Sequence, residues 1–591
     1  MRIKMRKTCF ILVSVLFLVL FLNYDRLIYL FADSVLTVNV LSEEKIENMI
    51  ADKKIAEMGW QLTCDGNPVV YDEESKTIYI PQNMGKKEWE GRLSAAEGRL
   101  YFKSDEYLDK KEDAISTGHS FEAYLIKDDN YSVCSVVFTG MPIMNLSVES
   151  SALEDEIMIN SGTVQIYDPY HASARFQSAE CTFHIRGGSS WNYPKSNYKL
   201  ELKDTKLSFL GMRQDEDWIL NSLYDDAGLI HNKISYQVWR EIAGHNNVKN
   251  DEGTTLEFVE VFIDNEYCGV YALTERIDAK ELSLGKKDIL YKCRADRIPE
   301  EHNYSNEDTD DMRPIFILKY PQDYEEEDWE PLKAWVDDFL KEEAVDYEES
   351  TALLDMENSI DYNLFCLLIG GMDNRRKNVF FIAEYQDDGT YCFKKVPWDL
   401  NATWGNPWVD MDECNFTLYH PEYYQEVSAW ATDVSTLYYY DEVEISSLLY
   451  ERWQELRKEG IITKEKIYEM LDEQFTYLHE SGAYQRNYRR WPKAKEYWQD
   501  DYIYEYAEKR ISFLDEYFEQ LYLGNISSAI YEDVDYSEEF EARYYWETNY
   551  ETLSELYSYD RQILLEHYVL YGKPFGLIAR KPIEGAAVKE E

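Results

Sequence analysis

The chain has 591 residues, too many for one compact domain, and its 45% hydrophobic content is ample for packed cores. Its 61 Lys and Arg stand against 113 Asp and Glu, a formal net charge of −52, which excludes nucleic acid as a partner because phosphate backbones are bound by basic surfaces. The same field makes an anionic ligand costly unless a local basic pocket or a cation offsets it.

Arg2, Lys4, Arg6 and Lys7 precede an uncharged apolar run from Thr8 to Tyr24. That is the charged and apolar pair of regions in an export signal, at the lower edge of the length that spans a bilayer. Asp25 and Arg26 follow directly, with no small-residue cleavage site. Residues 1–30 are therefore expected to be a cytoplasmic stub and membrane anchor. The expected product is a single-pass protein of the cell membrane with its C-terminal part outside the cytoplasm, or a secreted protein if the signal is cleaved. None of the nine cysteines has CxxC spacing, so zinc and redox motifs find no support.

Residues 35–150 read as a β-rich domain of short strands, among them Pro68 to Tyr71, Thr77 to Ile80 and Tyr131 to Thr139. From 151 to 280 strands dominate around one helix. Cys181 to Ile185 leads into the turn Arg186-Gly187-Gly188-Ser189-Ser190, and Tyr198 to Leu202 alternates as a half-buried strand does. Asp226 to Ala243 carries apolar residues every fourth position and predicts a helix. Phe258 to Ile263 and Cys268 to Thr274, joined by Asp264-Asn265-Glu266, predict a hairpin. Beyond Trp329 the chain is mostly helical, apart from a second hairpin, Val379 to Ala383 with Cys392 to Val396. Residues 531–591, set off by the acidic run Glu532 to Glu541, predict a small helical module of a kind found in surface proteins.

Asp373-Asn374-Arg375-Arg376-Lys377-Asn378, the second hairpin and Pro397-Trp398-Asp399 form the strongest constellation. Phosphoryl transfer to a hydroxyl needs one carboxylate for the hydroxyl and a carboxylate with an amide to hold the cations on the phosphates. In protein kinases the first Asp and the metal-binding Asn stand five positions apart, and the second Asp follows. Arg375, Arg376 and Lys377 add basic charge where a triphosphate needs it.

Upstream stand Arg186-Gly187-Gly188-Ser189-Ser190, Pro194-Lys195 and Tyr198-Lys199, then Trp218 to Asp226, His231-Asn232-Lys233 and Gly269 to Glu275. With Asp373…Lys377-Asn378, Pro397-Trp398-Asp399-Leu400-Asn401 and Arg452-Trp453, this order resembles the spore coat protein H (CotH) family of atypical protein kinases over roughly residues 150 to 525. The resemblance implies an α+β fold: a two-lobed atypical protein-kinase-like core over 151–525, between the N-terminal β-rich domain and the C-terminal helical module. It also implies ATP with Mg2+ or Mn2+ between the lobes, Asp373 as catalytic carboxylate, and Asn378 and Asp399 as metal ligands. Lys199 is the candidate partner of the α and β phosphates, with Lys195 its competitor. Arg186 faces phosphate or caps its turn, Glu275 falls where a kinase hinge meets adenine, and Asn232 is a pocket candidate.

Asn401 departs from the family, which usually has a second Asp there. An Asn in place of a metal ligand weakens binding, whereas an Asn in place of a turn cap serves equally well. The expected acceptor is a Ser or Thr hydroxyl on a protein with basic flanks, a glycan hydroxyl being the second choice. The membrane is met through the N-terminal helix. The rival expectation is a kinase-fold surface protein that binds or assembles and transfers nothing.

Overall fold

The computed structural model describes residues 38–580, apart from 58–60, 87–88, 155–156, 301–302, 307–313, 342–346, 407–423, 493–497, 528, 533, 538 and 554–560. The expected anchor at residues 1–30 lies outside this range. Among the described residues no helix is long and apolar enough to cross a membrane. This corrects the expectation of a single-pass membrane protein, which no described element supports. All seven described cysteines are free thiols.

The first unit is a seven-stranded sheet. Along its path run Asn39–Leu41, Arg99–Lys103, Ser120–Lys127, Asn130–Thr139, Thr77–Pro81 and Val70–Asp72, with Lys54–Ile55 paired off the path. Ile78, Ile80, Phe102, Phe121, Val136 and Phe138 pack into its own core.

Next comes a closed seven-stranded barrel. Its order is Ile143–Glu154, Ile157–Tyr167, Phe176–Arg186, Asn197–Leu202, Asp217–Asn221, Glu266–Glu275 and Leu256–Ile263. Closure is parallel, Ile143 to Leu146 against Glu260 to Ile263. The strand Ile143–Glu154 carries barrel structure across the boundary expected at 150. The period of two is clear in Asn197–Leu202, where Leu200 and Leu202 enter the barrel core while Lys199 and Glu201 do not. The expected hairpin is present, and Asp264 and Asn265 turn it at φ 49° and 67°. Asp and Asn tolerate that left-handed backbone better than other side-chain-bearing residues.

The helix expected from Asp226 starts later, at His231, and ends at Ala243. The Asp226 carboxylate accepts hydrogen bonds from the backbone N–H of Gly228 (3.1 Å) and His231 (2.9 Å). Such local side-chain bonds favour a turn over helix.

A five-stranded sheet follows in the order Tyr304–Ser305, Phe316–Tyr320, Ile289–Cys293, Val379–Tyr385 and Tyr391–Pro397. Its central strand, Ile289–Cys293, had no counterpart in the sequence expectation. The helix Met356–Ile369 is capped by Asp355, whose side chain accepts from the N–H of Asn358 (3.1 Å), and stops at Gly370, φ 66°. Its residues are buried on every side, as in a helix at the centre of a core. Around it lie Thr432–Tyr440, Glu442–Lys458, Lys464–Glu480, Ala483–Arg490 and Asp501–Ser527. These helices share one hydrophobic core with His231–Ala243 and the five-stranded sheet.

The helices Ala542–Thr548, Tyr550–Leu553 and Arg561–His567 close a separate small cluster around Phe540, Tyr545 and Leu565. Arg561 ties them to Glu442 of the preceding helices at 2.7 Å.

Candidate active site

The buried helix Met356–Ile369 delivers the turn Met372–Asn374, and the hairpin returns the chain to Pro397-Trp398-Asp399 beside it. Asn374, fully buried, joins the two segments. Its Nδ2 donates to the Trp398 carbonyl (2.9 Å) and to the Asn378 carbonyl (3.4 Å), while its own carbonyl accepts from the Tyr362 hydroxyl (2.8 Å). Trp398 N–H adds a bond to the Asn378 carbonyl (2.9 Å). Sequence reasoning missed Asn374, because a buried linking amide gives no signal beyond its place next to Asp373.

Asp373 is half-buried. Its Oδ1 accepts from Lys377 Nζ at 2.6 Å and its Oδ2 from Asn378 Nδ2 at 2.9 Å. Asn378 and Asp399 both adopt left-handed backbone, φ 54° and 57°. Asn and Asp are the side-chain-bearing residues that accept this conformation most readily.

The helix His231–Ala243 fixes the loop after Asp399. Tyr236 Oη accepts from the Asp399 N–H (3.2 Å), Asn232 Oδ1 accepts from the Leu400 N–H (2.8 Å), and Ser235 Oγ accepts from Trp404 Nε1 (3.0 Å). Asn232 is 2% exposed, and its Nδ2 has no hydrogen-bond partner among the described residues.

Burial raises the Asp399 carboxyl above the usual carboxylate range, and the charge of Asp373 adds to the effect; Arg186, Lys292 and Lys377 oppose it. Asp225, which sequence reasoning placed only in a segment of resemblance, joins the same group. Burial pushes its carboxyl up to about 7, with the charges of Asp399 and Asp226 acting in the same direction. Its Oδ2 accepts from Asn401 Nδ2 (2.7 Å) and from the Tyr193 hydroxyl (3.2 Å). Asn401 is thus neither an empty position nor a mere turn cap; it holds a carboxylate.

A cavity of about 410 Å³ opens at Asp373, and Asp399, Asp225 and Asn401 do not line it. Asp373, Lys377, Arg294, Asp296, Asn406 and Tyr506 are among its walls.

The structure brings Asp373, Asn378, Asp399, Asn232 and Arg186 together and turns the other expected residues elsewhere. Lys199 pairs with Glu201 (3.1 Å) and Asp217 (3.4 Å), because its strand points Leu200 inward instead. Lys195 is 2% exposed, donates to the Val270 carbonyl (2.5 Å) and Asn487 Oδ1 (3.0 Å), and lies over the Tyr271 ring; burial lowers it to about 7. It fastens the barrel to the helix Ala483–Arg490. Glu275 accepts from the Arg213 N–H (2.7 Å) and the Thr255 hydroxyl (2.5 Å), so its carboxylate is engaged by the loops beside the barrel. Arg375 and Arg376, expected to serve a triphosphate, both turn to Asp296.

A family model described as CotH kinase protein matches residues 183–514, more than half of the chain. The chain belongs to the CotH kinase protein family. A search of curated proteins found no match. Membership makes the chain a kinase-like phosphotransferase by family, for which ATP and a divalent metal are the general co-substrate and cofactor.

The site's own chemistry fits such a cation. Among the described residues no three His, Cys, Asp or Glu side chains converge to cage a metal unaided. Mg2+ rarely uses an all-protein cage; it is held by one or two carboxylates, with substrate phosphates and water completing its shell. Asp399 and the side-chain oxygen of Asn378, whose Nδ2 is bonded to Asp373, would supply that kind of partial set, and the orphaned Asn232 Nδ2 is a donor suited to a phosphate oxygen.

Proposed function

We propose that this protein is an atypical protein kinase of two-lobed plan that transfers the γ-phosphoryl group of ATP to Ser or Thr hydroxyls of a protein. The observation that carries the reading is Asp373, standing in the wall of the cavity with Lys377 and Asn378 on its two oxygens and Asp399 in electrostatic reach.

Asp373 orients the acceptor hydroxyl and takes its proton as the new oxygen–phosphorus bond forms and the bond to ADP breaks. Lys377 keeps Asp373 in one rotamer and brings positive charge to the transferring group. Asp399 and Asn378 would hold the divalent cation, which when bound neutralises charge on the phosphates. Arg186 and Lys292 temper the negative field around Asp399.

The acidic surface favours acceptors flanked by Lys or Arg, over the roughly 8 Å range that physiological salt leaves unscreened. A glycan hydroxyl is the second choice of acceptor. Asn401 favours a second reading, a kinase-fold binding or assembly protein without transfer.

One assay separates the two readings: the full chain with γ-labelled ATP, Mg2+ or Mn2+, and paired Ser/Thr peptides with basic or acidic flanks. Labelling is expected, faster for the basic peptides at low salt and about equal at high salt. Asp373→Asn should lower transfer by about 10²–10⁴-fold while nucleotide affinity stays within threefold. Transfer unchanged in that variant removes Asp373 from the chemistry, and no transfer by the unmodified protein to any peptide or to itself supports the binding reading.

A further inference from the structure

We propose that the cavity at Asp373 seats a Lys or Arg side chain neighbouring the acceptor residue, and that Glu426 recognises its charge. The inference rests on the kinase reading above and names where acceptor choice is made.

Asp373 lies between two environments. On one side stand Asn378, Asp399, Asn232 and Arg186, none of which lines the cavity. The cavity on the other side is therefore left to the acceptor. Its walls offer two kinds of surface. Ala295, Met372 and Ala402 give it an apolar side, and Met372 remains 42% exposed although it adjoins Asp373.

The charged walls sort by their partners. Lys377 is spent on Asp373, and Asp296 on Arg375 and Arg376. Arg294 has interactions of its own. Glu426 differs from all of these. The Ser428 N–H donates to its Oε1 at 2.8 Å, and the bonds from Ser428 hold the carboxyl below the usual carboxylate range. It is thus ionised at neutral pH, yet among the described residues no cation forms an ion pair with it. Arg510, whose charge reaches it, is committed to the carbonyls of Leu367 (2.7 Å) and Tyr424 (2.7 Å).

An unpaired carboxylate and an apolar wall in one cavity match one kind of side chain. Lys and Arg carry an apolar stem below a charged head. The stem would bury its surface against Met372 and Ala402 while the head meets Glu426, in a recess where the pair is screened less than on open surface. The net charge of −52 attracts basic peptides whatever their order of residues. Glu426 instead favours one position of the cation relative to the acceptor.

The test uses short fluorescein-labelled peptides with one Ser and one Lys, the Lys moved stepwise along the peptide. Affinity for the purified full chain is read by fluorescence anisotropy, with Mg2+ and a non-hydrolysable ATP analogue, at physiological salt of about 0.15 M. Norleucine in place of Lys keeps the apolar stem and removes the charge. At one position Lys is expected to bind about tenfold tighter than norleucine. Glu426→Gln should bring that ratio to within twofold. Glu426→Lys should shift the preference to a peptide with Glu at the same position, an exchange that a purely structural role for Glu426 would not give. Ala295→Trp narrows the cavity from a half-buried loop position. It should weaken the Lys peptide about tenfold, and it stands in if the Glu426 variants fail to fold.

An unchanged ratio in Glu426→Gln overturns the assignment, as does a Glu426→Lys variant that still prefers Lys. So does a Lys preference of equal size at every position, which the overall charge explains by itself. Absence of binding by every peptide, or an unchanged affinity in Ala295→Trp where that variant stands in, overturns it too. Transfer from γ-labelled ATP to the same peptides keeps this distinct from the kinase reading. If the Lys peptide binds through Glu426 and takes no label, the kinase reading falls and the pocket stands; if it is labelled while Glu426→Gln keeps the ratio, only the pocket falls.

Discussion

Two clusters of buried charge in this molecule have opposite characters. At the junction of the N-terminal sheet, the barrel and the helices, Arg486 makes paired 2.8 Å bonds to Glu260. Thr139 and Tyr267 donate to the same carboxylate at 2.6 and 2.8 Å, and the Ser481 carbonyl accepts from Arg486 at 3.2 Å. Around Asp225, Asp399 and Asp373, carboxylates crowd one another and a buried amide goes unanswered. The first cluster pairs its opposite charges, although Arg486 Nη1 has no partner among the described residues, and it fixes how three units dock. The second is electrostatically unfinished, which is the mark of a group arranged for a ligand rather than for the fold.

The contrast can be broken most forcefully at Arg486. Arg486→Met leaves Glu260 buried and unpaired, and should cost about 3–5 kcal/mol of stability. Denaturant unfolding measures the loss, and Mn2+–nucleotide affinity of the protein that remains folded should be unaltered. A loss below about 1 kcal/mol would show that the junction contributes little.

Asp399→Asn is the reciprocal change. The ligand-free Tm should hold or rise, because a crowded charge has gone. The stabilisation by Mg2+ and ATP, about 2.7 kcal/mol at a hundred times Kd, should vanish. A lowered ligand-free Tm with the ligand effect preserved would reverse the roles given to the two clusters.

The smallest effect is at Lys195, a buried charge outside both clusters. Its folded pKa of about 7 lies below its ordinary value of 10.5. Between those values the unfolded chain binds the extra proton, so this group makes stability rise with pH above about 7. Lys195→Met should flatten the pH dependence of stability between pH 7 and 9, read from denaturant midpoints. An unchanged slope would mean that Lys195 is not the titrating group.

What the sequence made legible follows from locality. Asp373, Asn378 and Asp399 belong to short segments joined by a hairpin, and local spacing was enough to group them. The two hairpins announced themselves through alternation and turn residues. Lys199 and Glu275 were misjudged because strand alternation says which residues share a face without saying what waits there. Their partners are set by tertiary structure, Asp217 by barrel pairing and Arg213 by the turn that precedes Gln214. Asp225 was passed over for the converse reason: its meaning depends on Asn401, 176 positions away. Closure of the barrel itself, by parallel pairing of its first strand with Leu256–Ile263, had no local signature.

That closure bears on how the protein can be cut for experiment. The matched family segment begins at residue 183, inside the third barrel strand. A fragment trimmed to that segment would discard Ile143–Glu154 and Ile157–Tyr167 and leave Leu256–Ile263 with an unpaired hydrogen-bonding edge. Such an edge recruits strands from neighbouring chains and favours aggregation. It would also remove Thr139 from the Glu260–Arg486 cluster. The shortest fragment that keeps both the barrel shut and the Glu260 cluster whole must start upstream of Thr139, and insolubility of shorter ones would say nothing about whether the Asp373 loop is competent.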